Sequence, residues 1–409
     1  MEFGTQSRCR IFFPKGEKFR TDLLVVLFDL PLERKTATKT ALLAELLQNR
    51  SPLTAAKAAE ELYGADWQIG VVKKGDRQLL LFSLETLKMV GATEMLSFLK
   101  ERLISPLAEG GFAEQEVERQ KKRLKQRLKA RQEDKPALAR RRALEEAAKG
   151  TAIAVSGDGY LEDLDEIGGE ELFDWYQSIL QTASVQVYFC GDPNGKQEIL
   201  SLRQLFSGTI KEEHRQKAVG KANRKPRFLQ EPSEAAQARL VLGFCADTGS
   251  TRRETALLLL SRILGEGGDS LLFQQMREEA GLCYAVRSYC YPLSPYFFIE
   301  AGIQEMDVKE ASRMVGDCIR KLREEGIPLE RVEEAKNGLR QEYEALADDP
   351  WRMIDFFAEQ CLAGRAADTT ERLRQIDAIE PEEIRQAAGR LQLEAIYVLG
   401  GKEEKHGAE

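Results

Sequence analysis

Arg277 and Tyr284 are the side chains in this sequence best suited to act on a polar substrate. They stand in Arg277-Glu278-Glu279-Ala280-Gly281-Leu282-Cys283-Tyr284, where a helix stops at a glycine and a strand begins. Arginine carries a permanent charge and several donors, and a phenol can donate to a developing oxyanion, so the pair suits gripping a peptide carbonyl. The same spacing also describes an exposed arginine at a helix end and a half-buried tyrosine on a strand. Residue types alone leave both readings open.

A general base and metal ligands are conspicuously scarce. The 409 residues contain two histidines, His214 and His406. His214 lies in the polar stretch Lys211 to Lys225, and His406 is three residues from the last position. Histidine is the usual general base near neutral pH and the commonest ligand of catalytic zinc, so hydrolytic chemistry is poorly provided for. The seven cysteines, Cys9, Cys190, Cys245, Cys283, Cys290, Cys318 and Cys361, are scattered, without a C-x-x-C pair. They read as small buried hydrophobes in a reducing compartment, which predicts a cytoplasmic location. A cysteine peptidase is disfavoured because no histidine lies near to activate a thiol.

Two further stretches invite chemistry. Basic residues crowd Arg119 to Arg142, with only Val117, Leu124 and Leu128 as a narrow apolar stripe. That pattern is a solvated helix face, or else a basic lining for a cavity that accepts a peptide or acidic segment. No aromatic residues interleave with the charge, which argues against nucleic acid. In Gly265-Glu266-Gly267-Gly268-Asp269-Ser270 a glycine-rich turn precedes a helix. Its two acidic residues oppose anion binding, and Asp269 or Ser270 as a helix N-cap is the preferred reading. A net charge of −7 and 43% hydrophobic residues describe a soluble globular protein with no general affinity for nucleic acid or membrane. No apolar run reaches the roughly 20 residues that span a bilayer, and Met1-Glu2-Phe3-Gly4-Thr5 has no signal-peptide pattern.

The elements that must position these residues recur. Leu23 to Phe28 reads as a buried strand, followed by a helical run at 39–47 that contains Thr-Ala-Leu-Leu. Leu240 to Cys245 is again a buried strand, followed by a helix over 254–264 in which Thr-Ala-Leu-Leu returns at 255–258. A short helix at 58–62 and a strand at 78–84 match a helix at 271–280 and a strand at 296–303. Long polar helices follow, at 114–131 in one half and at 308–325 and 329–346 in the other, and each half ends in a strand (185–190, 395–399). This order predicts a duplicated α+β domain: 1–207, a polar linker over 208–234, and 235–409.

The segment Gly267 to Val286 resembles the C-terminal half of the insulinase-like (pitrilysin-type, inverted zinc motif) metallopeptidases. The signature there is a glycine-preceded Ser-x-Leu-Phe, then Arg-Glu, Gly-Leu, Tyr and a strand. The resemblance implies two homologous domains, each a mostly antiparallel sheet packed with helices, in a clamshell arrangement. The family's first-half helix carries His-x-x-Glu-His, with a carboxylate ligand roughly 75 or more residues later. Laid on Ala41-Leu42-Leu43-Ala44-Glu45, the histidine positions fall at Ala41 and Glu45 and the catalytic glutamate at Ala44. The third ligand falls near Leu128. With no histidine before residue 214, no zinc site can be built, and no metal or cofactor of its own is expected.

The resemblance therefore implies the degenerate, non-catalytic subunit of a bacterial heterodimeric zinc endopeptidase, inactive alone, with zinc only in a paralogous partner. Arg277 would position the peptide and Tyr284 would help stabilise the tetrahedral intermediate at the partner's zinc. The substrate would be held as an added strand on a sheet edge. The alternative is a stand-alone peptide-binding or scaffold protein, in which Arg277 and Tyr284 are remnants.

Overall fold

The computed structural model describes residues 7–105, 110–208, 225–235, 237–291, 293–365 and 368–400. His214, His406 and most of the expected linker lie outside the described residues. In the first half the elements are β1 (Cys9–Phe12), β2 (Thr21–Pro31), α1 (Ala37–Asn49), α2 (Pro52–Glu61), β3 (Asp66–Lys74), β4 (Arg77–Leu87), α3 (Ala92–Leu103), α4 (Glu114–Glu133), α5 (Lys135–Ala147), α6 (Gly169–Thr182), β5 (Ser184–Cys190), α7 (Lys196–Leu200) and α8 (Leu202–Leu205). The second half holds β6 (Arg227–Glu231), β7 (Ala238–Cys245), α9 (Thr251–Gly265), β8 (Cys283–Cys290), β9 (Tyr296–Ile303), α10 (Val308–Glu325), α11 (Leu329–Ala345), α12 (Pro350–Leu362), α13 (Thr369–Asp377), α14 (Pro381–Gly389) and β10 (Gln392–Leu399). A π-helical segment, Phe273–Glu279, lies between α9 and β8.

Each half builds a five-stranded sheet. The orders are β1-β5-β2-β4-β3 and β6-β10-β7-β9-β8, the same arrangement when strands are counted by place in their half. One parallel pair closes each sheet, β1 with β5 and β6 with β10, and the other pairings are antiparallel. The α+β duplication read from the sequence is therefore the fold. The run at 23–28 has no polar alternation because β2 is central and covered on both faces, so every residue from Asp22 to Leu30 is buried. At the edges, β3 and β8 each pair with one strand and keep half-exposed residues.

The chain divides into two compact units that do not follow the expected boundaries. One comprises Met1–Lys129, Val155–Arg215 and Ala345–Ala366; the other comprises Ala130–Ala154, Gln216–Glu344 and Ala367–Glu409. Each unit thus includes a helix from the opposite half of the sequence. In the second unit α5 covers one face of its sheet. Leu138, Ala143, Leu144 and Ala147 pack on Val241, Phe298, Ala395 and Tyr397. A leucine buried this way contributes about 2 kcal/mol. In the first unit, Lys74 of β3 holds α12 through Asp355 and Glu359, both at 2.7 Å.

The two transferred helices start alike. Asp134 accepts from the Ala137 N–H (3.0 Å), and Asp349 accepts from Trp351 (2.8 Å) and Arg352 (3.1 Å). Proline occupies the first turn of both, where its missing N–H costs nothing. A further departure concerns the linker at 208–234: Arg227–Glu231 is strand β6, whose half-burial alternates along its length. Charge at Arg227 and Glu231 concealed it, because an edge strand needs only one apolar-facing residue in two. Its Leu229 packs against the α5 layer.

Candidate functional site

In the first unit, α1 presents its motif positions to a closed core. Ala41 is fully buried and Ala44 nearly so, among Leu42, Leu43, Leu46 and Leu47. A loop straps the start of this helix: Thr38 Oγ1 donates to Asp163 (2.5 Å), the Tyr160 N–H donates to Thr38 Oγ1 (3.1 Å), and Arg34 pairs with Asp163 and Glu162. Burial pushes the Asp163 carboxyl up, but the hydrogen bonds from Arg34 and Thr38 and the charge of Arg34 outweigh it and hold the group below the usual range.

Glu45 meets α4. Its carboxylate pairs with Arg127 and accepts from Asn49 Nδ2 (3.2 Å), while Asn49 Oδ1 accepts from Arg123. Two residues four apart on α1 thus engage two residues four apart on α4. Leu128, where the third metal ligand was expected, is buried in the same core.

This donor set does not fit zinc. Ala41 and Ala44 offer methyl groups, and the Glu45 carboxylate is already committed to a guanidinium. Among the described residues no group of three His, Cys, Asp or Glu side chains could hold a metal ion.

In the second unit the Arg277 and Tyr284 side chains stand together. The chain reaches Arg277 through a turn fixed at several points. Gly265 lets α9 end against β8, since a Cβ there would lie 2.4 Å from the Ser288 nitrogen. Ser270 takes the cap position by its carbonyl, which accepts from the Gln274 N–H (3.0 Å). Its hydroxyl does not cap; it donates to the Gly267 carbonyl (2.8 Å). Arg331 of α11 pins the turn through the Asp269 carbonyl (2.6 Å) and Gln274 Oε1 (2.8 Å). Anion binding in the glycine-rich stretch gains no support from this arrangement.

The Phe273–Glu279 segment widens to a π-helical turn, a feature often found at functional sites. Gly281, at φ +64°, reverses the chain, and the Leu282 N–H returns to the Met276 carbonyl (2.8 Å). Met276 and Leu272 are buried and anchor the turn. The Arg277 guanidinium lies between two rings, 4.6 Å from the centre of Phe273 and 5.0 Å from that of Tyr284. Tyr284 is 74% exposed, at a point where the β8–β9 register shifts between Cys283 and Val286. The guanidinium is held against the phenol ring, and both side chains are open to solvent.

Phe273 figured in the sequence only as the Phe of Ser-x-Leu-Phe, with no role beside Arg277, although its place four residues before Arg277 puts the two on one helix face. The Glu45/Asn49 and Arg123/Arg127 spacing was equally visible, but nothing in sequence says which helices meet. The cysteines form no disulfide. Burial pushes the thiols of Cys9, Cys190, Cys245 and Cys318 up to about 11, leaving little thiolate near neutral pH.

Comparison with known proteins agrees with this picture. Residues 166–339 match the family model described as "Peptidase M16 inactive domain". The "Probable inactive metalloprotease YmfF" of Bacillus subtilis is 26% identical over 95% of each chain. The "Uncharacterized zinc protease YmxG" of the same organism is 32% identical over 131 residues, 30% of this chain and 32% of that one. Among solved structures, a conserved protein from Enterococcus faecalis V583 superposes with a TM-score of 0.86 at 24% identity, covering 98% of each chain. A peptidase M16 inactive domain from Pseudomonas fluorescens gives a TM-score of 0.76 at 18% identity, covering 97% of this chain and 96% of that one. With methyl groups and an ion-paired glutamate at its motif positions, the chain is similar to degenerate members of the insulinase-like M16 peptidases, over residues 166–339 by the family model and over nearly its full length by YmfF.

Proposed function

We propose that this chain is the non-catalytic subunit of a heterodimeric zinc endopeptidase that processes or degrades peptides in the bacterial cytoplasm. The observation that carries the reading is the contrast within one molecule. The motif helix α1 has no group left to bind metal or activate water, while Arg277 is held between two rings beside an exposed Tyr284. Zinc proteases of related sequence, such as YmxG, supply the type of partner required. In this reading Arg277 positions the substrate through a carbonyl, and the Tyr284 hydroxyl donates to the oxyanion that forms at the partner's zinc. The edges offered by β3 and β8 suit a peptide added as a strand.

No described helix is long and apolar enough to cross a membrane. The unbridged cysteines fit a reducing compartment. The test is reconstitution with a zinc-bearing paralogue from the same genome. Activity should require both chains and fall at least about tenfold with Arg277→Ala, the scale of one lost oxyanion or positioning contact. A homodimer that binds peptides and ignores every such paralogue would favour the scaffold alternative.

A further inference from the structure

The basic helix α4 is the motif that this function leaves unused. Its sides separate by role at 100° per residue. Val117, Gln120, Lys121, Leu124 and Leu128 are buried. Arg123 and Arg127 turn to α1, where Asn49 and Glu45 engage them. On the remaining side Arg119, Lys122, Lys125 and Lys129 are exposed. Among the described residues none of these four has a side-chain hydrogen bond or ion pair, whereas Lys121 is paired with Glu118 at 2.6 Å.

Such a face works against its own helix. Lys122 follows Arg119 by three positions, Lys125 follows Lys122 by three, and Lys129 follows Lys125 by four. Like charges at these spacings destabilise a helix. They persist in a chain of net charge −7, so they are not the residue of a generally basic composition. Glu118 and Glu133, four residues from Lys122 and Lys129, offset part of the cost, and an anionic partner on that face would offset the rest.

We propose that this face of α4 binds an acidic polypeptide segment, and so biases the chain towards acidic peptides. From Arg119 to Lys129 the stripe runs about 15 Å, the span of roughly five residues of extended chain. Among the cations on this side stand Glu118, Gln126, Ala130 and Glu133, with no large apolar side chain to enter a bilayer. No aromatic side chain interrupts the stripe to stack on bases. The proposal rests on the peptide-handling reading above and names the substrate class for it.

The test uses the full chain alone and a labelled oligoglutamate of about ten residues, followed by fluorescence anisotropy at low salt. A glycine-serine peptide of equal length, an oligothymidylate and phosphatidylserine vesicles serve as competing probes. Wild type should prefer oligoglutamate, with binding weakened by salt. The variant R119Q/K122Q/K125Q/K129Q should lose about tenfold or more. Its melting temperature should hold or rise, because repulsion is removed. Equal binding by the variant overturns the proposal, as does tighter binding of the oligothymidylate or the vesicles, or a lowered melting temperature. The partner is absent from this assay. Oligoglutamate binding that survives beside failed reconstitution would therefore sink the subunit reading and leave the basic face standing.

Discussion

The Glu45 carboxylate on α1 is ion-paired with the Arg127 guanidinium on α4. Glu45 holds the position of a metal-binding histidine in the family resemblance, and Arg127 adjoins Leu128, the expected place of the third ligand. A salt bridge therefore joins the two helices that a shared metal would otherwise join. The Glu45 side chain is 12% exposed and that of Arg127 39%, so solvent screens the pair only in part. Glu45→Ala should cost about 1 kcal/mol, and the coupling to Arg127→Ala in a double-mutant cycle should be about 0.5–1 kcal/mol. Thermal melts with and without a chelator should coincide. A coupling of zero, or a chelator-sensitive melt, would show that the clamp does not stand in for metal.

The strap over α1 predicts an acid-sensitive term. Asp163 has its folded pKa held below the unfolded value of about 3.9 by its bonds to Arg34 and Thr38, against the opposing effect of burial. A depressed carboxyl pKa stabilises the fold above the unfolded value, and that contribution fades as pH falls through the folded value. Asp163→Asn should therefore lower the melting temperature near pH 7 and converge on wild type as the pH falls below the unfolded carboxyl value. A difference that stays constant across that range would contradict the assignment.

The ring sandwich separates two roles at Tyr284. Tyr284→Phe keeps the ring beside Arg277 and removes only the hydroxyl; Tyr284→Ala removes both. In a reconstituted peptidase the first should lower kcat with little change in KM, and the second should also raise KM. Phe273→Leu, which removes the other ring from the guanidinium, should cost about two- to fivefold in kcat/KM, the worth of one exposed cation–π contact. Identical kinetics for Tyr284→Phe and wild type would show that the hydroxyl takes no part.

Asp134 and Asp349 cap the two helices that pack in the opposite unit from their sequence half. Replacing either by Ala should destabilise by about 1 kcal/mol, a melting shift of roughly 2–4 °C. Limited proteolysis should then cut D349A first near α12 and D134A first near α5. A uniform digestion pattern in both variants would mean that the caps do not control helix docking.

Much of this architecture was legible because burial writes itself into composition. The central strands β2 and β7 carry unbroken non-polar runs, 23–28 and 240–245, because both of their faces are covered, and 308–325 was found at its observed limits because its buried Ala311, Val315, Cys318 and Leu322 recur at helical spacing. Strands β1, β3 and β6 were missed. They are edge strands of mixed polarity, and half-burial leaves too weak a pattern in four to nine residues. The loss of metal ligands at Ala41, Ala44 and Glu45 was readable directly, because side-chain chemistry needs no coordinates.

The sequence by itself determined the duplication, the missing zinc chemistry and the retained Arg277 and Tyr284. Only the tertiary structure decided that Phe273 and Tyr284 enclose Arg277, that Arg127 answers Glu45, and that α5 and α12 each join the unit of the other half. Periodicity reports which face of an element is buried, but carries no label for the partner that buries it. The pairing of α1 with α4, and of each transferred helix with its sheet, depends on complementary faces far apart in the chain.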